Sequence, residues 1–335
     1  MTEKTTNKEA VLMQGWHFNE KDYFEAWQSK RLLTAQIELS NLCDLKCEYC
    51  FREEKGFGKR QRLPGEISVD ETKGIIDDVA SLGCRAINII GAGEPTVDPA
   101  LEEILHYISN KGIISVLATH GARIDENLAR VLEETNSSVV IKVNSFNSEL
   151  QDRMVGRRGY SEKRNKALDL LIKNGFNSST GKYQTRLAIN SVVCKANKDE
   201  ALSIFRYCRK NNIMPIMGTF IPAGKTKDRT DMEISMQEFI ELSKEARKID
   251  DEEFGIRYQR LLPYLGGVPC TQCGKASLYV TILGDIFECS GQLKKYGNFK
   301  ETSIKEVFAK IREEQSNTDF SCLPRRLYWE KTGQL

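Results

Sequence analysis

The chain has 335 residues, and its 49 Lys and Arg against 47 Asp and Glu leave a net charge of +2. That balance gives no overall electrostatic case for a nucleic-acid partner, and no apolar run approaches the roughly 18 residues that a membrane-spanning helix requires. The charged start MTEKTTNKEA lacks the apolar stretch of a secretory signal, so a cytoplasmic protein with reduced thiols is expected, and its ten cysteines point to metal or redox chemistry rather than disulfides.

Residues 1–33 read as an N-terminal extension. TAQIEL (34–39) reads as a strand running directly into CDLKCEYC (43–50). Ser68 with Glu71 three positions later has the form of a capping box, predicting a helix over 68–82. AINII (86–90) is a buried strand, followed by GAGEP (91–95) and a helix over 100–111 closed by Gly112. ISVLA (114–118), a helix over 126–134, VVIKV (139–143) and a helix over 161–174 ended by Gly175 continue the alternation. RLAINSVV (186–193), a helix over 199–211 and IMPIMGT (213–219) complete six strand–helix repeats. The strands are too apolar to alternate, which is the pattern of parallel strands covered on both faces. Six units fall short of a closed eight-fold barrel, so the expected fold is α/β, a partial (β/α)6 TIM-like barrel over 34–254. After a helix over 235–250 the style changes. ASLYVTI-LGD-IFEC reads as a hairpin and 303–315 as a helix, so 255–335 is expected to be a small cysteine-rich subdomain.

Cys43, Cys47 and Cys50 stand in a loop straight after the first strand, where parallel sheets and barrels place active sites. Three cysteines in eight residues do not follow the spacing of core positions. A zinc site would need a fourth ligand, and none of His17, His106 and His120 has finger-like spacing. Three thiolates can hold a four-iron cluster with one iron left open.

C-x3-C-x2-C after the first strand, with GAGEP after the second, resembles the radical S-adenosylmethionine superfamily. The resemblance implies a [4Fe-4S] cluster on Cys43, Cys47 and Cys50 whose open iron binds S-adenosyl-L-methionine. One electron then cleaves the sulfonium to a 5′-deoxyadenosyl radical. It implies that Tyr49 lies against the adenine and that Gly91, Gly93, Glu94 and Pro95 form the motif that holds the methionine ammonium, with Ala92 in place of a usual glycine. Thr119, His120 and Gly121 stand where Thr-Asn-Gly is frequent. Asn144 and Ser145 end the fourth strand, where polar side chains often meet the ribose or carboxylate, and Asn190, on the fifth strand, is a further cofactor-binding candidate. An external one-electron donor such as flavodoxin or ferredoxin is implied as a partner.

Cys270, Cys273, Cys289 and Cys322 resemble the twitch or SPASM-type extensions that hold an auxiliary [4Fe-4S] cluster. Four cysteines at such spacings also read as structural zinc, and spacing alone does not separate the two. Cys84 and Cys208 read as core residues. Cys194, just past the fifth strand, is a candidate hydrogen-atom donor. Arginines 153, 157, 158, 325 and 326, with Lys225, Lys227 and Arg229, suggest an anionic substrate or a solvated face. The expected function is therefore a radical enzyme, oxidoreductase or isomerase, that removes hydrogen from a C–H bond of a small polar metabolite or peptide. Alternatives are a maturase of ribosomally made peptides and a GTP 3′,8-cyclase-like enzyme, although the second cluster here has C-x2-C-x15-C rather than C-x2-C-x13-C. A zinc-stabilised interaction protein is the alternative without catalysis.

Overall fold

Six parallel strands lie side by side in chain order: β1 (Thr34–Glu38), β2 (Ala86–Ile90), β3 (Ile114–Thr119), β4 (Ser138–Lys142), β5 (Leu187–Val193) and β6 (Met214–Thr219). The structure is a computed structural model and describes residues 12–52, 62–180, 185–220, 222–257, 265, 276–290 and 294–314. Between and around the strands run α1 (Glu20–Gln28), α2 (Val69–Ser81), α3 (Leu101–Asn110), α4 (Glu126–Glu134), α5 (Ser148–Val155), α6 (Tyr160–Lys173), α7 (Ala201–Lys210) and α8 (Met236–Ile249). This is the α/β partial barrel that the alternation of the sequence predicts.

The local signals explain the boundaries. Ser68 accepts from the Glu71 N–H while the Glu71 carboxylate accepts from the Ser68 N–H, so α2 begins with both orphan donors satisfied. Gly112 and Gly175, at φ of +70° and +75°, turn the chain after α3 and α6 in the left-handed region. Two helices exceed the sequence expectation. Asn19 and Asp22 form a capping box for α1, inside the segment read as an extension. The short, polar α5 starts at Asn147 and buries only Gln151, Met154 and Val155, too few apolar positions for a visible period.

Alternate strand residues face opposite sides. Ala35, Ile37, Ile87, Ile89, Leu117, Val139, Ile141, Leu187 and Ile189 join the main core with helix residues such as Ile75, Leu105, Leu132 and Phe205. The other set lines the concave interior. Val116, Val140, Ala188, Met214 and Ile216 pack around Met13, whose segment is held by a parallel bridge to Thr185. Residues 13–17 thus plug one end of the half-barrel and leave the polar interior residues Glu38, Lys142 and Asn190 nearer the other.

The C-terminal hairpin belongs to the same sheet. β7 (Ser277–Val280) pairs in parallel with β1, Thr34 opposite Ser277 through Ile37 opposite Val280. β8 (Asp285–Phe287) and β9 (Gly297–Asn298) follow antiparallel, giving the order β6-β5-β4-β3-β2-β1-β7-β8-β9. Helix α9 (Ile304–Glu314) buries Ile304, Val307, Phe308 and Ile311 in the main core. No helix among the described residues is long and apolar enough to cross a membrane.

Candidate active site

The loop after β1 carries Cys43, Cys47 and Cys50 as free, partly exposed thiols. Its course is fixed by backbone bonds to α5: Lys46 N–H donates to the Val155 carbonyl at 3.1 Å and Glu48 N–H to Met154 at 3.0 Å. Glu66 accepts from the Asn41 N–H at 3.2 Å, and Arg52 donates to the Asn41 carbonyl at 3.0 Å. Burial pushes the Cys43 thiol up to about 11 and Cys47 to about 12, so both thiols are uncharged at neutral pH. Three free thiols in one loop fit a three-thiolate cluster in kind and number. Cys43 and Cys50 lie within electrostatic reach of Cys47, although among the described residues no group of three or more His, Cys, Asp or Glu side chains is gathered closely enough to hold a metal ion.

GAGEP lies against this loop. Gly93 N–H donates to the Ser40 carbonyl at 2.9 Å and Glu94 N–H to the Leu42 carbonyl at 2.6 Å. A Cβ on Gly93 would stand 2.0 Å from the Leu42 oxygen, and one on Gly91 would stand 1.7 Å from the Gly93 oxygen. Only glycine permits both approaches, so the two sequence motifs form one rim. The Glu94 carboxylate is buried and turned into the protein. It accepts from Thr96 N–H at 3.1 Å, from the Thr96 hydroxyl at 2.6 Å, from the Thr119 hydroxyl, and from His120 N–H at 2.7 Å. Pro95 starts the single turn Pro95–Val97 that Glu94 caps. Glu94 therefore organises the ends of β2 and β3, and its oxygens are engaged within the chain.

Three residues that the sequence reading did not single out shape the site. Lys142, in VVIKV, points into the concave interior beside Asn190, its partner across β4 and β5. Its ammonium bonds the Asn190 Oδ1 at 2.5 Å and sits 5.2 Å from the centre of the Tyr49 ring. Burial lowers it to about 8, against the pull of Cys47, Cys50 and Cys194. Glu38 accepts from the Tyr279 hydroxyl at 2.7 Å and from Ile282 N–H at 3.0 Å, and burial raises its carboxyl. Asp44 meets His120 Nε2 at 2.9 Å, Arg157 at 2.8 Å and Arg123 at 3.1 Å. Burial opposes its charge, yet those donors hold its carboxyl well below the usual carboxylate range.

Tyr49 also packs against Met154, Cys194, Phe220 and Met232. Cys194 itself is fully buried in that cluster, within electrostatic reach of Lys142 rather than open to the mouth. Asn144 and Ser145 are fully buried. Asn144 Oδ1 accepts from Val192 N–H at 2.9 Å, and the Ser145 hydroxyl donates to Glu200 at 2.6 Å, so both brace loops. Two of the arginines read as anion receptors are taken by carboxylates of the chain, Arg157 by Asp44 and Arg229 by Asp231. Of the second cysteine set, Cys289 is a buried cysteine beyond β8. Cys270, Cys273 and Cys322, like Arg325 and Arg326, lie outside the described residues.

The chain is similar to known proteins in sequence and in fold. The model of the family described as the Radical SAM superfamily matches residues 37–184. An AdoMet-dependent heme synthase of Methanosarcina barkeri is 25% identical over 305 residues, 82% of this chain and 83% of that protein. The mycofactocin maturase MftC of Mycobacterium tuberculosis is 24% identical over 311 residues, 86% of this chain and 76% of that protein. The crystal structure of Streptococcus suis SuiB bound to precursor peptide SuiA has the same fold, with a TM-score of 0.63 and 16% identity, over 87% of this chain and 70% of that one.

Proposed function

We propose, from the match of residues 37–184 to the model of the Radical SAM superfamily, that the chain cleaves S-adenosylmethionine reductively and takes a hydrogen atom from a C–H bond of a peptide or small polar metabolite. The observation that carries this reading is the rim itself: the thiol loop and GAGEP are bonded to each other through Ser40, Leu42, Gly93 and Glu94. Cys43, Cys47 and Cys50 would hold the first cluster. When bound, that cluster and S-adenosylmethionine supply the one-electron cleavage and the 5′-deoxyadenosyl radical.

The chain's own contribution is placement and enclosure. Gly91 and Gly93 keep the rim narrow by letting its backbone close on itself. Tyr49 supplies a flat wall, and Lys142 supplies a cation inside the concave face. A half-buried ammonium bonded to a neutral amide suits a carboxylate, which is the reason to assign an anionic group of the ligand to this position. Cys194, kept from solvent behind Tyr49, would return hydrogen in a redox-neutral outcome. Cys270, Cys273, Cys289 and Cys322 would hold an auxiliary cluster, and the needed electron would come from a flavodoxin- or ferredoxin-like donor. Similarity to the maturase MftC supports the peptide reading, and similarity of the same extent to an AdoMet-dependent heme synthase supports the small-molecule one.

Anaerobic reconstitution tests the reading. About eight irons per chain, little zinc and formation of 5′-deoxyadenosine are expected, with Cys43→Ala abolishing the product. Zinc in place of iron, or product unchanged in Cys43→Ala, would refute it.

A further inference from the structure

Cys43 lies inside a closed circuit of hydrogen bonds. The residue before it, Leu42, accepts from Glu94 N–H at 2.6 Å. The residue after it, Asp44, meets His120 Nε2 at 2.9 Å. His120 closes the loop by donating its backbone N–H to the Glu94 carboxylate at 2.7 Å. The path therefore runs from Glu94 through Leu42, Cys43, Asp44 and His120 back to Glu94, tying the ends of β2 and β3 to the first cysteine.

The histidine is held from several sides. Ala122 N–H points at Nδ1 at 3.0 Å, which makes Nδ1 the acceptor and leaves the hydrogen on Nε2 to donate to Asp44. The Tyr160 hydroxyl donates to the His120 carbonyl at 2.7 Å, and the two rings meet edge to face at 5.8 Å. Arg123 and Arg157 occupy the other Asp44 oxygen. With His120 buried and its ring bonded at both nitrogens, the ring has little freedom to turn.

We propose that His120 is a positioning residue: its ring, acting through Asp44, sets where Cys43 stands relative to the GAGEP rim. The inference rests on the reading of the thiol loop given above, but it concerns the geometry of the chain before any cluster is present. Asn or Ala at 120 cannot reach Asp44 from the same backbone. Gln can place its amide nitrogen close to the position of Nε2 and donate as the ring does.

The test follows the rate at which Cys43 in the reduced, metal-free full chain is alkylated by iodoacetamide, read peptide by peptide by mass spectrometry. Thiol reactivity reports local opening, so His120→Ala should speed Cys43 by about tenfold, and His120→Gln should return it most of the way to wild type. The buried thiols Cys84 and Cys208 are internal controls and should not change. An unchanged Cys43 rate in His120→Ala overturns the proposal. So does equal acceleration of Cys84 and Cys208, which would make His120 a general stability residue, and so does failure of His120→Gln to differ from His120→Ala. None of these outcomes depends on formation of 5′-deoxyadenosine, so failure of the functional reading is seen separately.

Discussion

His17 shows how one buried side chain makes the whole chain sensitive to acid. Its ring is shut in beneath the barrel, with Nδ1 accepting from Met13 N–H at 2.9 Å, and burial lowers it to about 3. Below the ordinary histidine value the unfolded chain takes up a proton that the folded chain refuses. Stability is then complete above pH ~6.5 and falls as the pH drops, by up to about 1.4 kcal/mol per unit. Between pH 7 and pH 5 the wild type should lose about 2 kcal/mol that His17→Asn does not lose, seen as converging urea midpoints. A parallel pH dependence in the two proteins would exclude the histidine as the cause. Residue identities were unevenly legible in the sequence. The cysteine loop and GAGEP announce themselves because their chemistry and their neighbours are consecutive. Lys142 was hidden in an apolar strand, since its meaning depends on Asn190 one strand away and on Tyr49 in another loop. Asp44 was hidden for the same reason, its partners being His120, Arg123 and Arg157.

Strands and helices were far more legible than these contacts. The six central strands and the boundaries of α2 and α4 follow from period, caps and glycines, which are local signals. What sequence could not supply was how the loops meet, and there the glycines of the rim make a strong prediction. Gly93→Ala must push the Leu42 carbonyl aside or move β2, because its Cβ would come within 2.0 Å of that oxygen. We expect a loss of about 1–3 kcal/mol from the thermal or denaturant midpoint, together with reduced iron content on reconstitution. Gly112→Ala provides a comparison, since a Cβ there meets nothing within 4 Å although φ is +70°. It should cost stability through backbone strain alone and leave iron content at the wild-type level. Equal iron contents in both variants would show that the rim glycine is not needed to assemble the site.

Across the whole molecule, the strand that delivers the thiols is hydrogen-bonded on both edges, by β2 on one side and by β7 from the C-terminal hairpin on the other. Glu38, at the end of β1, strengthens that second seam by accepting from Tyr279 and from the Ile282 N–H. Tyr279→Phe should therefore lower stability by about 1–3 kcal/mol, because one oxygen of a buried carboxylate loses its donor. Chemical unfolding followed by tryptophan fluorescence would measure the loss, and a value indistinguishable from wild type would mean that Ile282 alone secures the seam. The sequence placed the hairpin in a separate C-terminal segment, and nothing local indicates that its first strand adds to β1, because that pairing spans most of the chain. The same seam orders events during synthesis. When the cysteine loop leaves the ribosome, β1 has an open edge, and it keeps that edge until the hairpin at 277–287 emerges. Slowing translation ahead of residue 277 should therefore lengthen the interval in which the open edge of β1 is exposed to aggregation.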